Sequence, residues 1–190
     1  MKEILFAISF VTIFALNTEL CCSQSKPKYP FVQYNVCPFE CCQYGKWITH
    51  SPLNVYPKEN DTSTVSFRIT PIDSFTALTG NIHMIRPGVV VVLRDSMVGF
   101  SPGDTLFTLA YGGEGNYDIW AHGKFDYVEQ FWDTNEATNS TVAVLISKPL
   151  MIWWVQIRYR DGREGWLKLI NTETSDFSID EEIDGMDGCG

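Results

Sequence analysis

The chain has 190 residues, 14 of them basic and 23 acidic, for a formal net charge of −9. That balance argues against nucleic acid and anionic membrane surfaces, which call for basic patches, and is compatible with a neutral or cationic partner. Apolar residues make up 45% of the sequence, enough to build the core of one domain or of two small ones.

Residues 1–23 read as an export signal. Lys2 supplies a positive start that Glu3 largely cancels. Ile4 to Leu16 is an unbroken run of apolar or small residues, suited to a signal core and too short to span a bilayer. Cleavage after Ser23 would leave 13 basic and 21 acidic residues. The rival is a lipid anchor at Cys21 or Cys22, which the preceding Thr18, Glu19 and Leu20 fit poorly. No other apolar stretch is long enough to cross a membrane. The expectation is therefore a secreted or periplasmic protein, with no membrane insertion once the signal is removed.

A cysteine-containing segment, 24–45, comes next. Four cysteines survive cleavage: Cys37, Cys41, Cys42 and Cys189. An even number in an exported chain points to disulfides. A bond between adjacent Cys41 and Cys42 would be strained. Cys37 is then expected to pair with one of them and Cys189 with the other. Two alternatives remain, free thiols and a zinc site, although the spacing lacks the usual C-x2-C knuckle.

From Ser51 the texture is strand and turn. Leu53-Asn54-Val55-Tyr56 alternates, Pro57 to Ser63 is a polar turn, and Val65, Phe67 and Ile69 alternate with Ser66, Arg68 and Thr70. After a turn at Pro71 to Ser74, a strand resumes at Phe75. Val89 to Leu93 follows Pro87-Gly88 and is apolar on both faces, the pattern of a core strand. A second pass begins near Phe100. There Pro102-Gly103-Asp104 leads into Thr105 to Leu109, an echo of Pro71 to Leu78 that raises the idea of an internal duplication. Tyr117, Ile119 and Ala121 alternate with Asp118, Trp120 and His122, placing Trp120 on the polar face. A turn at His122-Gly123-Lys124, a strand from Phe125, a polar loop from Asp133 to Thr141 and an apolar strand from Val142 to Ile146 complete this pass.

The clearest local signal is Trp153 to Leu167. Trp153, Val155, Ile157 and Tyr159 alternate with Trp154, Gln156, Arg158 and Arg160, and Asp161-Gly162 then marks a hairpin turn. The tail from Asn171 carries seven carboxylates and reads as loose, pinned at Cys189. No helical period persists, and many short strands between turn residues indicate an all-β barrel or sandwich.

The run WWVQIRYRDGREGWL resembles the distal hairpin of SH3-like domains, especially those of exported bacterial proteins. Leu53 to Tyr56 is similar to their first-strand motif, and Gly115 to Lys124 to a further strand-turn. The resemblance implies small SH3-like barrels, two in tandem at 46–94 and 95–172, followed by an acidic tail at 173–190; one elaborated barrel is the alternative. Lys168 stands where peptide-binding relatives carry proline, and Gln156 where they carry a small core residue. What the family implies is a non-enzymatic module, without a cofactor, that binds a cell-wall peptide or glycan. A structural or accessory module contacting another envelope protein is the second expectation.

The binding candidates follow from face and family. Trp154 shares a face with Gln156, Arg158 and Arg160, and aromatic and arginine side chains often dominate binding energy. Trp120 qualifies by the same argument, Tyr56 as the border of a groove, and Trp153 by resemblance alone, since its parity places it in the core. Catalysis has little to build on. A cysteine hydrolase would need Cys37, Cys41, Cys42 or Cys189 beside His50, His83 or His122. Asp180 to Asp187 lacks the spaced ligands of a calcium loop. Asn60 and Asn139 sit in glycosylation sequons, which matter only in a eukaryotic source.

Overall fold

The computed structural model describes residues 29, 31–95, 99–134, 138, 140–171, 183–186 and 188. All regular structure among them is strand, as the sequence indicates. In chain order the strands are β1 (Phe31–Gln33), β2 (Gly45–Thr49), β3 (Leu53–Val55), β4 (Phe67–Ile69), β5 (Asp73–Arg86), β6 (Gly88–Val92), β7 (Thr105–Gly113), β8 (Asn116–Ala121), β9 (Lys124–Glu129), β10 (Ala143–Ser147), β11 (Leu150–Tyr159), β12 (Glu164–Asn171) and β13 (Ile183–Asp184).

One sheet runs β12-β11-β5-β2-β13, with β1 also paired to β5. A second runs β10-β6-β7-β8-β9, and β3-β4 forms a short ribbon. Paired backbone hydrogen bonds between Tyr56 and Trp166, 2.9 and 2.8 Å, fasten that ribbon to β12, so the first sheet curls into a half-barrel. Its core holds Trp47, Val55, Ile69, Trp153, Val155 and Ile157, all fully buried. A separate core in the second sheet gathers Val90, Leu106, Ile119, Trp132 and Ala143.

A single ribbon of two antiparallel strands joins the sheets. In the first sheet β5 pairs with β11; in the second β6 pairs with β10. The ribbon bends where Pro87 separates β5 from β6 and Pro149 precedes β11. Proline has no N–H to give a ladder, so it belongs at such a break. The corner is tight: a Cβ on Gly88 would lie 3.0 Å from Pro149 Cδ. The meander of β7, β8 and β9 turns twice through paired positive-φ residues, Glu114-Gly115 (φ 51° and 75°) and His122-Gly123 (φ 51° and 78°). Two consecutive left-handed residues are what a two-residue hairpin loop with the correct twist requires.

Two features differ from the sequence reading. The division expected at 94/95 does not follow the sheets, because β5 is hydrogen-bonded along its length to β11, which lies beyond it. Pairing of distant strands cannot be read from local periodicity. The described part of the tail, 183–186 and 188, is docked rather than loose. Ile183 and Met186 bury their side chains in the first core, β13 adds to β2, and Gly188 N donates to Cys41 O at 2.8 Å. Two apolar residues in an acidic stretch suffice to dock it.

Candidate functional site

The hairpin forms as the sequence indicates. Gly162 N donates to Tyr159 O and Tyr159 N to Arg163 O, with Gly162 at φ 88°. Its two adjacent tryptophans are buried, however. Trp153 is fully buried against Phe39, Tyr44 and Trp47. Gly80 makes room for it: a Cβ there would run into Trp153 Nε1 and lie 2.6 Å from the Tyr44 hydroxyl. Burial pushes the Tyr44 hydroxyl up to about 12. Trp154 is the main correction. Expected on the exposed polar face, it is only 1% accessible. β11 lies between β5 and β12, and Tyr56 packs edge-on over Trp154 at 5.9 Å, covering the face that alternation left to solvent.

The remaining candidates are scattered. Arg158 is exposed and bonded to Glu164 at 2.8 Å. Arg160 pairs with Asp73 at 3.0 Å and rests on the Tyr159 ring. Asp73 also accepts from the Tyr159 hydroxyl, which holds its carboxyl below the usual range and raises Tyr159 in turn. Arg158 thus pairs within the hairpin and Arg160 across to β5. Trp120 is half-buried and packs against the first core and edge-on to Phe125 at 4.8 Å. Tyr56 does border a groove, with Leu53, Asn54, Thr62 and Lys168. These residues do not converge on one site.

Cys37 and Cys42 form a disulfide, with Cα atoms 5.6 Å apart. Cys41 is disulfide-bonded as well. Cys189, its expected partner, lies outside the described residues. The described chain therefore offers no thiol nucleophile. Each histidine faces a carboxylate: His50 with Asp184 at 2.8 Å, His122 with Asp104 at 3.1 Å, and His83 with Glu59. The described residues contain no cluster of three metal-binding side chains.

A small apolar cavity of about 30 Å³, open to solvent on one side, lies where the two sheets meet. Its walls include Tyr111, Tyr117 and Trp132, with Leu109, Leu145 and Met151. Tyr117 packs edge-on against Trp132 at 5.1 Å and against Tyr111 at 5.2 Å. A bulge after Thr108 shifts the β7–β8 register beside it. Polar groups are few. Gln130 Nε2 donates to Trp132 O at 3.1 Å. The Tyr111 hydroxyl donates to Glu40 Oε1 at 2.6 Å, and that carboxylate raises it. Thr108, 3% accessible, has a buried hydroxyl with no hydrogen-bond partner.

An apolar pocket with aromatic walls and few polar groups is the usual form of a binding site. Chemically, this one suits an apolar group. None of its residues was a candidate from sequence, because they come from β7, β8, β10, β11 and the segment after β9. Scans against family models, curated proteins and solved structures find no match.

Proposed function

We propose that the chain is an exported, non-enzymatic binding module of SH3-like character that holds an apolar side chain of an envelope peptide or protein. The observation that carries this reading is the solvent-open apolar pocket walled by Tyr111, Tyr117 and Trp132. A slot bounded by ring edges accepts an aliphatic or aromatic side chain better than it accepts a sugar, which stacks on an open ring face. Trp132, 4% accessible, offers no such face. The covered state of Trp154 also supports contact with a protein over glycan binding at the hairpin. A cell-wall glycan is the second reading, favoured by the exposed rings of Phe125 and Tyr127 on β9.

The test is methyl NMR on Leu109, Leu145 and Met151 while peptides ending in leucine or phenylalanine, and separately solubilised peptidoglycan glycans, are added. Peptide binding should shift these methyls saturably. Thr108→Val should leave that binding within about twofold, since an apolar side chain makes no hydrogen bond to a hydroxyl, with stability unchanged or raised because a buried unpaired hydroxyl is removed. Shifts confined to the Phe125 and Tyr127 rings, with glycan only, would replace this reading by the second. Silence with both ligands would sink the two together.

A further inference from the structure

On the outer face of the first sheet, Asn81 and His83 of β5 hold the carboxylate of Glu59. Cross-strand register sets Trp154 opposite Asn81 and Ile152 opposite His83, so all four side chains share that face. Asn81 and His83 are nevertheless buried. Glu59, on the connection between β3 and β4, reaches across 22 residues of sequence to accept from Asn81 Nδ2 at 2.5 Å through Oε2, while its Oε1 meets His83 Nε2. Asn81 is held in turn, since its Oδ1 accepts from Asn35 N at 3.0 Å. The two donors are thus fixed on strand β5, and the carboxylate they grip comes from a segment with no strand pairing of its own.

Two further groups beside this grip have no partner: His83 Nδ1 and Trp154 Nε1, both buried. A structural ion pair placed only to hold a loop would not need them, and leaving buried polar atoms unpaired costs stability. They are surplus capacity for a ligand larger than one side chain carboxylate. Glu59 itself is partly open to water, at 22% side-chain accessibility, so an external ligand can reach the contact it must replace.

We propose that Asn81 and His83, with Trp154 beside them, bind the carboxylate of an external ligand, and that Glu59 is an internal stand-in displaced on binding. The ligand class is a carboxylate bearing a second hydrogen-bonding group, such as a peptide C-terminus. The site stands apart from the pocket between the sheets and does not rest on the reading given to it. Displacement breaks the Glu59 contacts and forms equivalent ones to the incoming carboxylate, so no charge is left buried without a partner.

Acetate is the probe, and the His83 imidazole resonances of the full, disulfide-bonded chain are the readout. A tethered carboxylate competes at an effective concentration on the order of millimolar or more, so its removal should tighten acetate binding by about tenfold or more. Glu59→Ala should therefore show a saturable His83 shift at an acetate concentration about tenfold below that needed for the unmodified chain. Adding Asn81→Ala to it should abolish the shift. Glu59→Gln, which keeps the shape of the side chain, should fall between the two. Should Glu59→Ala fail to fold, the Glu59→Gln comparison decides alone. A folded variant with no saturable His83 shift up to about 0.1 M acetate, or a shift that persists after Asn81→Ala, would overturn the proposal and leave Glu59 as a structural tether.

Discussion

The two sheets treat their aromatic rows in opposite ways. In β11 both Trp153 and Trp154 are buried, although they point to opposite faces. In β9, Phe125 and Tyr127 share one face and are 53% and 54% accessible. The strands do not differ in alternation; they differ in position. β11 is central, with a core on one side and Tyr56 and the Glu59 segment on the other. β9 is the edge of its sheet, and Lys124, Asp126 and Glu129 guard it in the way charges commonly protect an open edge. The exposure of a ring on a strand is thus decided by the neighbouring strands and by the connections folded over them, and polar residues beside it in sequence are a poor guide.

The largest break in this contrast should come from Trp153→Ala. The ring is fully buried among Phe39, Tyr44 and Trp47, and removing such a side chain costs about 3–5 kcal/mol through lost burial and the cavity left behind. Urea denaturation followed by far-UV circular dichroism should show a midpoint lowered by that amount with its slope unchanged. A loss below about 1 kcal/mol would mean that the first core is not built around this residue.

The sequence made the strands legible because each alternates over its own length. Val155, Ile157 and Tyr159 went to the core as their parity required, and Gly162 took the turn. The adjacent cysteines restricted pairing enough that the Cys37–Cys42 bond was one of two options for Cys37. What was not legible is what depends on distant chain. Trp154 is covered by Tyr56, nearly a hundred residues earlier, and no local pattern reports that contact. The pocket was hidden for the same reason: Thr108, Gln130, Leu145 and Met151 meet only once the ribbon bends at Pro87 and Pro149. Seven carboxylates dominate the composition of the tail and conceal the two residues, Ile183 and Met186, that bury in the first core.

A smaller effect should separate the sheets by pH. Asp73 anchors the hairpin end of the first sheet, and its carboxyl is held below the usual range, first by the Tyr159 hydroxyl and then, against burial, by Arg160. A lowered folded-state value means the stabilisation is complete above the unfolded value, about 3.9, and is lost as pH falls through the lower folded one. Acid should therefore weaken the first sheet below about pH 4. In Tyr159→Phe the dependence of stability on pH in that window should flatten, as seen in thermal melts between pH 2 and 7 (roughly the span over which such carboxylates titrate). The same slope in both proteins would remove Asp73 from the account.

The smallest effect is the sharpest test of the contrast. Phe125→Ser and Tyr127→Ser remove rings as large as those of the first core, yet half of each is already in water. Phe125 retains contacts with Phe31 at 5.4 Å and Trp120 at 4.8 Å, whereas the Tyr127 ring lies over Gly112. Surface substitutions away from special features stay within about 0.5 kcal/mol. Tyr127→Ser should meet that bound and Phe125→Ser should slightly exceed it, since its ring links β9 to β1 as well as to β8. Equal and larger losses at both positions, of about 2 kcal/mol or more, would show that β9 is a buried strand in solution, covered by a second molecule, and the edge would then have to be treated like β11.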